Sequence, residues 1–174
     1  MQRDHFDIII IGAGINGAGI ARDAAGRGLK VALVEAGDLG GGTSSASTKL
    51  IHGGLRYLEF YEFALVRKAL AERETILSIA PHLASPMPFV LPLSQETRPS
   101  WMIRAGLLLY DRLAKRRSFP NSQTLSLRDD IAGHGLADRF TRAFRYWDGW
   151  VDDSRLVIAN CQDAARQGAE ILPR

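Results

Sequence analysis

The sequence has one cysteine, no long apolar run and little excess of charge, and each shortage excludes a class of protein. Cys161 has no partner for an internal disulfide, so we expect a reducing compartment and assign this residue to packing. No uninterrupted apolar run approaches the roughly 18 residues that a membrane-spanning helix needs. The net charge of +3 is mild, and no basic stripe lies beside aromatic residues. Nucleic acid is therefore not indicated, whereas anionic substrates or lipid head groups suit the charge.

The most informative segment is residues 7–35, which reads DIIIIGAGINGAGIARDAAGRGLKVALVE. This pattern predicts a strand, a glycine turn, a helix, a second strand and a terminal acid. Gly12 suits the tight turn, Gly14 the close approach of a pyrophosphate, and Gly17 the packing of the helix against the strands. Glu35 can accept hydrogen bonds from ribose hydroxyls, and an acid there disfavours NADP. We predict a site for a dinucleotide that contains ADP.

Two polar segments follow this unit. The hydroxyl cluster TSSAST includes Thr43, Ser44 and Ser47. It suits either a role in binding phosphate oxygens or the flavin, or a structural role as a solvated linker or helix cap. Composition alone slightly favours the structural role. Residues 49–58, KLIHGGLRYL, place His52 and an arginine beside paired glycines, which favours a role facing a ligand over a structural one.

The rest of the chain alternates helices and short strands. We predict helices at residues 61–80, 101–113 and 154–167, strands at 89–91 and 169–172, and a short polar helix with a turn at 126–136. Residues 144–151, FRYWDGWV, indicate a hairpin with its turn at Asp148-Gly149. Asp152 or Asp153 caps the last helix. A parallel-sheet fold does not usually finish as a new strand begins, so we expect the N-terminal part of a longer protein.

The helix at residues 101–113 permits two interpretations, because it is apolar on most sides and is followed by Lys115, Arg116 and Arg117. It is either an internal helix whose basic last turn suits the helix dipole or an interfacial element that meets lipid and anionic head groups. The segment alone favours the internal helix.

The predicted fold class is α/β: a Rossmann-like dinucleotide-binding domain with three layers and a mainly parallel sheet, incomplete. The family resemblance given next implies that this is an FAD-binding domain and that the remainder is part of a substrate or cap region. On that basis we divide the chain into a dinucleotide-binding core with the flavin loop at 1–60, a helical and β insertion at 61–150, and a return to the first domain at 151–174.

Three motifs together resemble one enzyme family. They are the glycine turn with Glu35, TSSASTKLIHGGLRYLE at residues 43–59 and WVDDSRL at 150–156. They resemble the FAD-dependent glycerol-3-phosphate dehydrogenases of the D-amino-acid-oxidase-like flavoprotein group. The segment WMIRAGLLLYDRLAKR at 101–116 resembles the same family, so the likeness covers essentially the whole chain as that family's N-terminal part.

The resemblance implies oxidation of sn-glycerol 3-phosphate to dihydroxyacetone phosphate on FAD, with electrons passed to membrane quinone or to oxygen. No metal site is predicted, and the resemblance implies that the remaining phosphate-binding residues and the base lie beyond Arg174. For the ADP half of FAD, the resemblance implies that Gly12, Gly14 and Gly17 bind the pyrophosphate and that Glu35 binds the ribose. It implies further FAD contacts by Thr43, Ser44 and Ser47, and a position near the flavin for Lys49, Leu50 and His52. It also implies a substrate pocket lined by Arg56 and Tyr57. His52 either polarises the flavin or relays a proton, which makes it the candidate catalytic residue, or it is a structural hydrogen-bonding group.

The family also implies a cytoplasmic protein bound peripherally to the inner membrane, and it leaves the oligomeric state open, a homodimer included. Two other functions compete with this one. The first is another flavin oxidase of the same group, acting on an amine, an amino acid or glycerophosphate. The second is a truncated module that binds a nucleotide without catalysis.

Overall fold

The computed structural model describes residues 5–94 and 98–174 and divides the chain into two compact units. The first unit comprises Met1–Lys49 and Val151–Arg174, and the second comprises Leu50–Trp150. Residues 50–60, which the sequence analysis grouped with the dinucleotide-binding core, belong to the second compact unit. The functional division at residues 60 and 150 stays a prediction.

The elements of the described residues follow in chain order. They are β1 (Ile8–Ile11), α1 (Ile15–Gly26), β2 (Val31–Glu35), β3 (Leu50–Ile51), α2 (Phe63–Ile79), β4 (Ala84–Pro92), α3 (Ser100–Arg112), β5 (Gln123–Ser126), β6 (Arg142–Val151), α4 (Asp153–Arg166) and β7 (Glu170–Pro173), with short 3-10 segments at Thr43–Ser45, Leu55–Phe60 and Ile131–Gly133.

The first unit is a parallel sheet with strand order β1-β2-β7, and it confirms the predicted α/β class. In the register, Ile10 lies beside Leu33, and Leu33 lies beside Ile171. Ile10 and Leu33 are buried under the helices, whereas Ile9 and Ile11 are exposed because alternate side chains of a strand point to opposite faces. The predicted strand–turn–helix–strand order is confirmed.

Helices α1 and α4 form the core of this unit with the sheet, because their contacting faces carry small side chains. The core cluster consists of Ile10, Ala13, Ala18, Ala21, Ala24, Ala25, Val31, Leu33, Val157, Cys161, Ala164 and Ala169. Alanine side chains let the two helices approach each other closely. Cys161 lies in this cluster, which confirms its assignment to packing, and burial raises the pKa of its thiol.

The second unit contains a four-stranded sheet in which β6 pairs with β3 and β5 and neighbours β4. Strand β4 is longer than the predicted strand at 89–91 and contains three prolines. It lies at an edge of the sheet, where a residue without a backbone N–H is tolerated. The predicted helices at 61–80 and 101–113 are confirmed as α2 and α3. The short helix predicted at 126–136 is present only as the 3-10 segment Ile131–Gly133 with turns on either side, and it follows the unpredicted strand β5.

The predicted hairpin at residues 144–151 is wrong, because β6 runs without a turn from Arg142 to Val151. The Asp148-Gly149 pair, which indicated a turn, serves two other purposes. Asp148 is buried in an ion pair with Arg73 of α2. Gly149 lies opposite Ile51, where an added Cβ would lie 3.0 Å from the carbonyl oxygen of Ile51. Within the described ranges, no helix has the length and apolar character to cross a bilayer.

Candidate functional site

The glycine turn between β1 and α1 has the geometry that its sequence predicts. Gly12 has φ +98°, a conformation that residues with a Cβ rarely adopt, and its N–H donates to the carbonyl oxygen of Val34 at 2.8 Å. At Gly17 an added Cβ would lie only 1.9 Å from the carbonyl oxygen of Gly12. The first turn of α1 therefore packs directly on the backbone of the turn, and this contact requires glycine.

Glu35 is the last residue of β2, and its side chain contacts the glycine turn. Its carboxylate accepts hydrogen bonds from the backbone N–H of Ala13 at 2.7 Å and of Gly37 at 3.0 Å. These two bonds, Ala13 first, lower the pKa of Glu35, so it is ionised at neutral pH. A carboxylate has about four acceptor positions, which leaves capacity for the ribose hydroxyls that the sequence analysis assigns to it.

Ser44 lies at the start of α1. Its hydroxyl oxygen accepts a hydrogen bond from the backbone N–H of Ile15 at 3.3 Å, and an added Cβ on Gly14 would lie 3.8 Å from that oxygen. Thr43 and Ser44 belong to the 3-10 segment Thr43–Ser45. The structure thus brings this part of the hydroxyl cluster to the positive end of the helix dipole, where an anion is favoured.

These residues fit the ADP half of FAD. The cradle at Gly12, Gly14 and Gly17 presents backbone without side chains, the N-terminus of α1 offers N–H donors, and Glu35 stands at the end of the neighbouring strand. With FAD bound, the first helical turn and Ser44 would hold the diphosphate, and Glu35 would hold the ribose.

Ser47 and Lys49 both form hydrogen bonds with Asp153, which the sequence pattern indicated only as a helix cap. The Ser47 hydroxyl donates to Oδ2 of Asp153 at 2.6 Å, and the Lys49 ammonium donates to Oδ1 of Asp153 at 2.5 Å. These bonds, that of Lys49 first, hold the pKa of Asp153 well below its usual range. Two predicted cofactor residues therefore share one buried carboxylate.

The other predicted site residues belong to the second unit and lie within eight positions of one another. Leu50 is in β3, His52 follows that strand, and Arg56 and Tyr57 are in the 3-10 segment Leu55–Phe60. His52, Arg56 and Tyr57 are exposed, and the side chains of His52 and Arg56 form no hydrogen bond or ion pair among the described residues. Between them, Gly54 has φ +73°, the left-handed conformation that glycine adopts without strain.

A buried polar network fixes the backbone beside His52. The Gly53 N–H donates to the hydroxyl oxygen of Tyr110 at 2.8 Å, and that hydroxyl donates to Oδ1 of Asp148 at 2.8 Å. Arg73 pairs with Asp148, donates to the carbonyl oxygen of Trp147 at 3.0 Å, and is almost fully buried. Burial and the neighbouring carboxylate of Asp148 raise the pKa of the Tyr110 hydroxyl, so it stays protonated.

The parallel sheet, the glycine turn and the acid at the end of β2 define an α/β protein that binds a dinucleotide. The chain belongs to the FAD dependent oxidoreductase family (DAO), whose profile matches residues 7–174. This finding confirms the predicted flavoprotein class and FAD as the cofactor.

Several relatives are phosphate-ester dehydrogenases. The chain is 59% identical over 168 residues to the aerobic glycerol-3-phosphate dehydrogenase of Escherichia coli (strain K12), covering 97% of this chain and 33% of that protein. It is 58% identical over 168 residues to the D-erythritol 1-phosphate dehydrogenase of Brucella abortus (strain 2308), covering 97% of this chain and 34% of that protein. The chain therefore spans about a third of the length of these relatives. The high identity to a glycerol-3-phosphate dehydrogenase confirms the predicted family resemblance.

A solved structure supports the same fold. The glycerol-3-phosphate dehydrogenase of Bacillus halodurans, complexed with FAD, matches with a TM-score of 0.68 at 28% identity, covering 99% of this chain and 27% of that one.

Sequence reasoning missed Asp153, Asp148, Tyr110 and Arg73 as residues that support the site. Tyr110 and Arg73 sit in ordinary amphipathic helices, where nothing distinguishes them from packing and surface residues. The one available signal was the pair of aspartates in WVDD, since a single capping residue would suffice for α4.

Proposed function

We propose that the protein containing these 174 residues oxidises sn-glycerol 3-phosphate to dihydroxyacetone phosphate. Bound FAD would supply the hydride acceptor, and the chain's own residues would bind and orient the reactants. The observation that carries the proposal is the exposure of His52 and Arg56 on either side of the buried Gly53-Gly54 backbone, in a chain closely similar to the dehydrogenase of E. coli.

The roles of these two residues follow from their chemistry. Arg56 offers a planar guanidinium, which can form parallel charge-assisted hydrogen bonds with a phosphate monoester. His52 can accept or relay the proton that leaves a substrate hydroxyl. Both side chains are exposed and are not committed to another described group, so each is available to a ligand.

The similarity to the B. abortus enzyme favours a second candidate substrate, D-erythritol 1-phosphate. Both candidates are phosphate monoesters of polyols, so Arg56 would serve either of them. They differ in the length of the carbon chain, and the described residues contain no feature that selects one length.

The test is flavin reduction in the full gene product under anaerobic conditions. We expect glycerol 3-phosphate to bleach the visible flavin absorbance with a larger second-order rate constant than D-erythritol 1-phosphate. A larger value for D-erythritol 1-phosphate would establish the second candidate, and reduction only by an amino acid or amine would refute both. Purified protein that contains no FAD and takes up none would indicate a non-catalytic module.

The proposal includes transfer of electrons to membrane quinone by a cytoplasmic protein on the inner membrane surface. Helix α3 supports it, because Trp101 is 70% exposed and Met102 and Leu109 are also exposed. Near its C-terminal end, Arg67, Arg112, Lys115 and Arg117 line a hollow of about 830 Å³, with Glu74 among them. An apolar helix face close to a basic hollow suits an anionic lipid surface.

Vesicle flotation tests this part of the proposal. We expect the full protein to float with vesicles that contain phosphatidylglycerol, and salt should weaken the binding. Lys115→Glu combined with Arg117→Glu should abolish flotation, whereas Arg128→Glu, at an exposed position outside the hollow, should not. Salt-insensitive or absent binding would leave α3 as an internal helix of the larger protein. Reduction of a soluble quinone in preference to oxygen would support the proposed acceptor.

A further inference from the structure

Asp153 is a buried carboxylate whose contacts lead away from its own helix. It is the first residue of α4 and is 8% exposed. Each of its oxygens receives one long-range hydrogen bond: Oδ2 from Ser47 and Oδ1 from Lys49, which are 106 and 104 residues distant in sequence. Helix formation does not explain such contacts, because the capping of α4 involves only its neighbours in sequence.

The adjacent aspartate already performs the capping. Asp152 is the N-cap of α4, and its side chain accepts a hydrogen bond from the backbone N–H of Arg155 at 3.2 Å. Asp153 also accepts from the N–H of Ser154 at 2.8 Å, which orients its carboxylate. The two neighbouring carboxylates thus have different environments, and only Asp153 reaches the predicted cofactor residues.

Lys49 is held in an unusual backbone conformation. Its φ is +58°, and among the described residues the only other non-glycine residue with a positive φ is Tyr61. Its N–H donates to the Ser47 hydroxyl oxygen at 2.9 Å, and its carbonyl oxygen accepts from the N–H of Val151 at 2.9 Å. A strained residue that its surroundings fix from both sides often marks a functional site.

We propose that Asp153 is a positioning residue of the flavin site, which acts on FAD through Ser47 and Lys49. Its carboxylate sets the direction of the Ser47 hydroxyl, and its charge holds the Lys49 ammonium in one place. The inference rests on the proposed binding of FAD by this chain, and it adds a residue to which no cofactor role was assigned. The low pKa of Asp153 agrees with it, because the carboxylate stays charged in the neutral range.

The experiment measures the FAD dissociation constant and the visible flavin spectrum of the full gene product. Asp153→Asn should weaken FAD binding by about tenfold or more, as expected for loss of a hydrogen-bonded charge pair, and should shift the flavin spectrum. Asp152→Ala is the neighbouring control: it removes the side-chain acceptor of the cap, so it should lower the Tm while leaving FAD affinity and spectrum unchanged.

A double-mutant cycle separates positioning from a general loss of structure. If Asp153 acts through Ser47 and Lys49, Asp153→Asn should change FAD affinity little in a background that carries both Ser47→Ala and Lys49→Met. Additive effects of Asp153→Asn and this background would overturn the proposal, and so would wild-type affinity and spectrum in folded Asp153→Asn. Asp153→Glu, which keeps the charge, is the second variant if the asparagine variant does not fold. It should shift the spectrum in the same direction to a smaller extent, and an unchanged spectrum and affinity would overturn the proposal.

This result is distinguishable from failure of the proposed function. Wild-type protein that binds no FAD would refute the function itself, and with it the role of Asp153. Wild-type protein that binds FAD normally, with an Asp153→Asn variant that does the same, would refute only the positioning role.

Discussion

The hydroxyl oxygen of Tyr110 lies 2.8 Å from the backbone nitrogen of Gly53, although 57 residues separate them in the chain. The contact requires glycine, since an added Cβ would lie 2.4 Å from Cδ2 of Leu70 and 2.6 Å from the Tyr110 hydroxyl oxygen. The backbone that precedes Arg56 and follows His52 is therefore fixed by a side chain of α3. Two exposed candidate site residues therefore flank a buried and closely packed backbone position of the second unit.

We predict that Tyr110→Phe lowers the free energy of unfolding by about 1–2 kcal/mol, because the Gly53 N–H and Asp148 both lose a hydrogen-bond partner. Urea denaturation measures the change. Tyr146→Phe is the control: Tyr146 stacks on Phe89 at a centroid distance of 5.4 Å, and its hydroxyl has no hydrogen bond among the described residues. A loss as large in the control would show that the Tyr110 hydroxyl contributes nothing specific.

Gly17→Ala should destabilise the protein by about 2–3 kcal/mol or more and abolish FAD retention. The new methyl group would lie 1.9 Å from a backbone carbonyl oxygen, so α1 would have to move away from the glycine turn. Thermal unfolding and the flavin content of the purified protein measure the two effects.

The matched control for this substitution is Gly19→Ala in the same helix. An added Cβ on Gly19 has no atom within 4 Å, so the substitution should stabilise the helix by about 0.5–1 kcal/mol. If Gly17→Ala behaved like Gly19→Ala, the close approach of helix and turn would be refuted.

The stability contribution of Asp153 should depend on pH. Its folded pKa lies below the ordinary value of 3.8, so the unfolded chain binds a proton at a higher pH than the folded protein does. The contribution is thus fully present above the unfolded pKa and is lost as the pH falls through the folded one. We predict that the difference in unfolding free energy between wild type and Asp153→Asn is constant near neutral pH and shrinks below about pH 4. A difference that persisted unchanged to about pH 2 would contradict the ion pair.

Arg56→Ala in the full protein should raise the KM for glycerol 3-phosphate by about tenfold or more, as expected for loss of a charge-assisted bond to phosphate. FAD content should change little. Steady-state kinetics and the flavin absorbance of the purified variant provide the two readouts. Arg128→Ala, which removes another exposed arginine, is the control and should leave both unchanged. Unchanged kinetics in Arg56→Ala would remove this residue from the substrate site.

The first unit could be predicted because its signals are local. The apolar run of β1, the glycines and the acid at the end of β2 lie within 30 positions of one another. Gly12 and Gly17 each meet a local backbone requirement, and Glu35 accepts hydrogen bonds from nearby backbone N–H groups. The amphipathic periodicity of α2 and α3 was similarly sufficient to place both helices. Patterns of this kind report on neighbours along the chain, which is where secondary structure is determined.

The remainder depends on contacts between distant residues. Asp148-Gly149 has the composition of a turn, but a buried arginine 75 residues away and a neighbouring strand keep it extended. Asp153 has the composition of a cap, but its partners lie more than 100 residues earlier in the chain. Tertiary contacts overrode local preference at both places, and a single sequence contains no record of such pairs.

The exposed side of strand β1 has a consequence for handling the 174-residue chain. Ile9 and Ile11 are 64% and 88% exposed, and β1 is the outer strand of its sheet in the described structure. An apolar strand with a free hydrogen-bonding edge can recruit the same strand of another molecule. Expressed by itself, the chain should therefore tend to aggregate as its concentration rises, and a charged residue in place of Ile11 should improve its solubility.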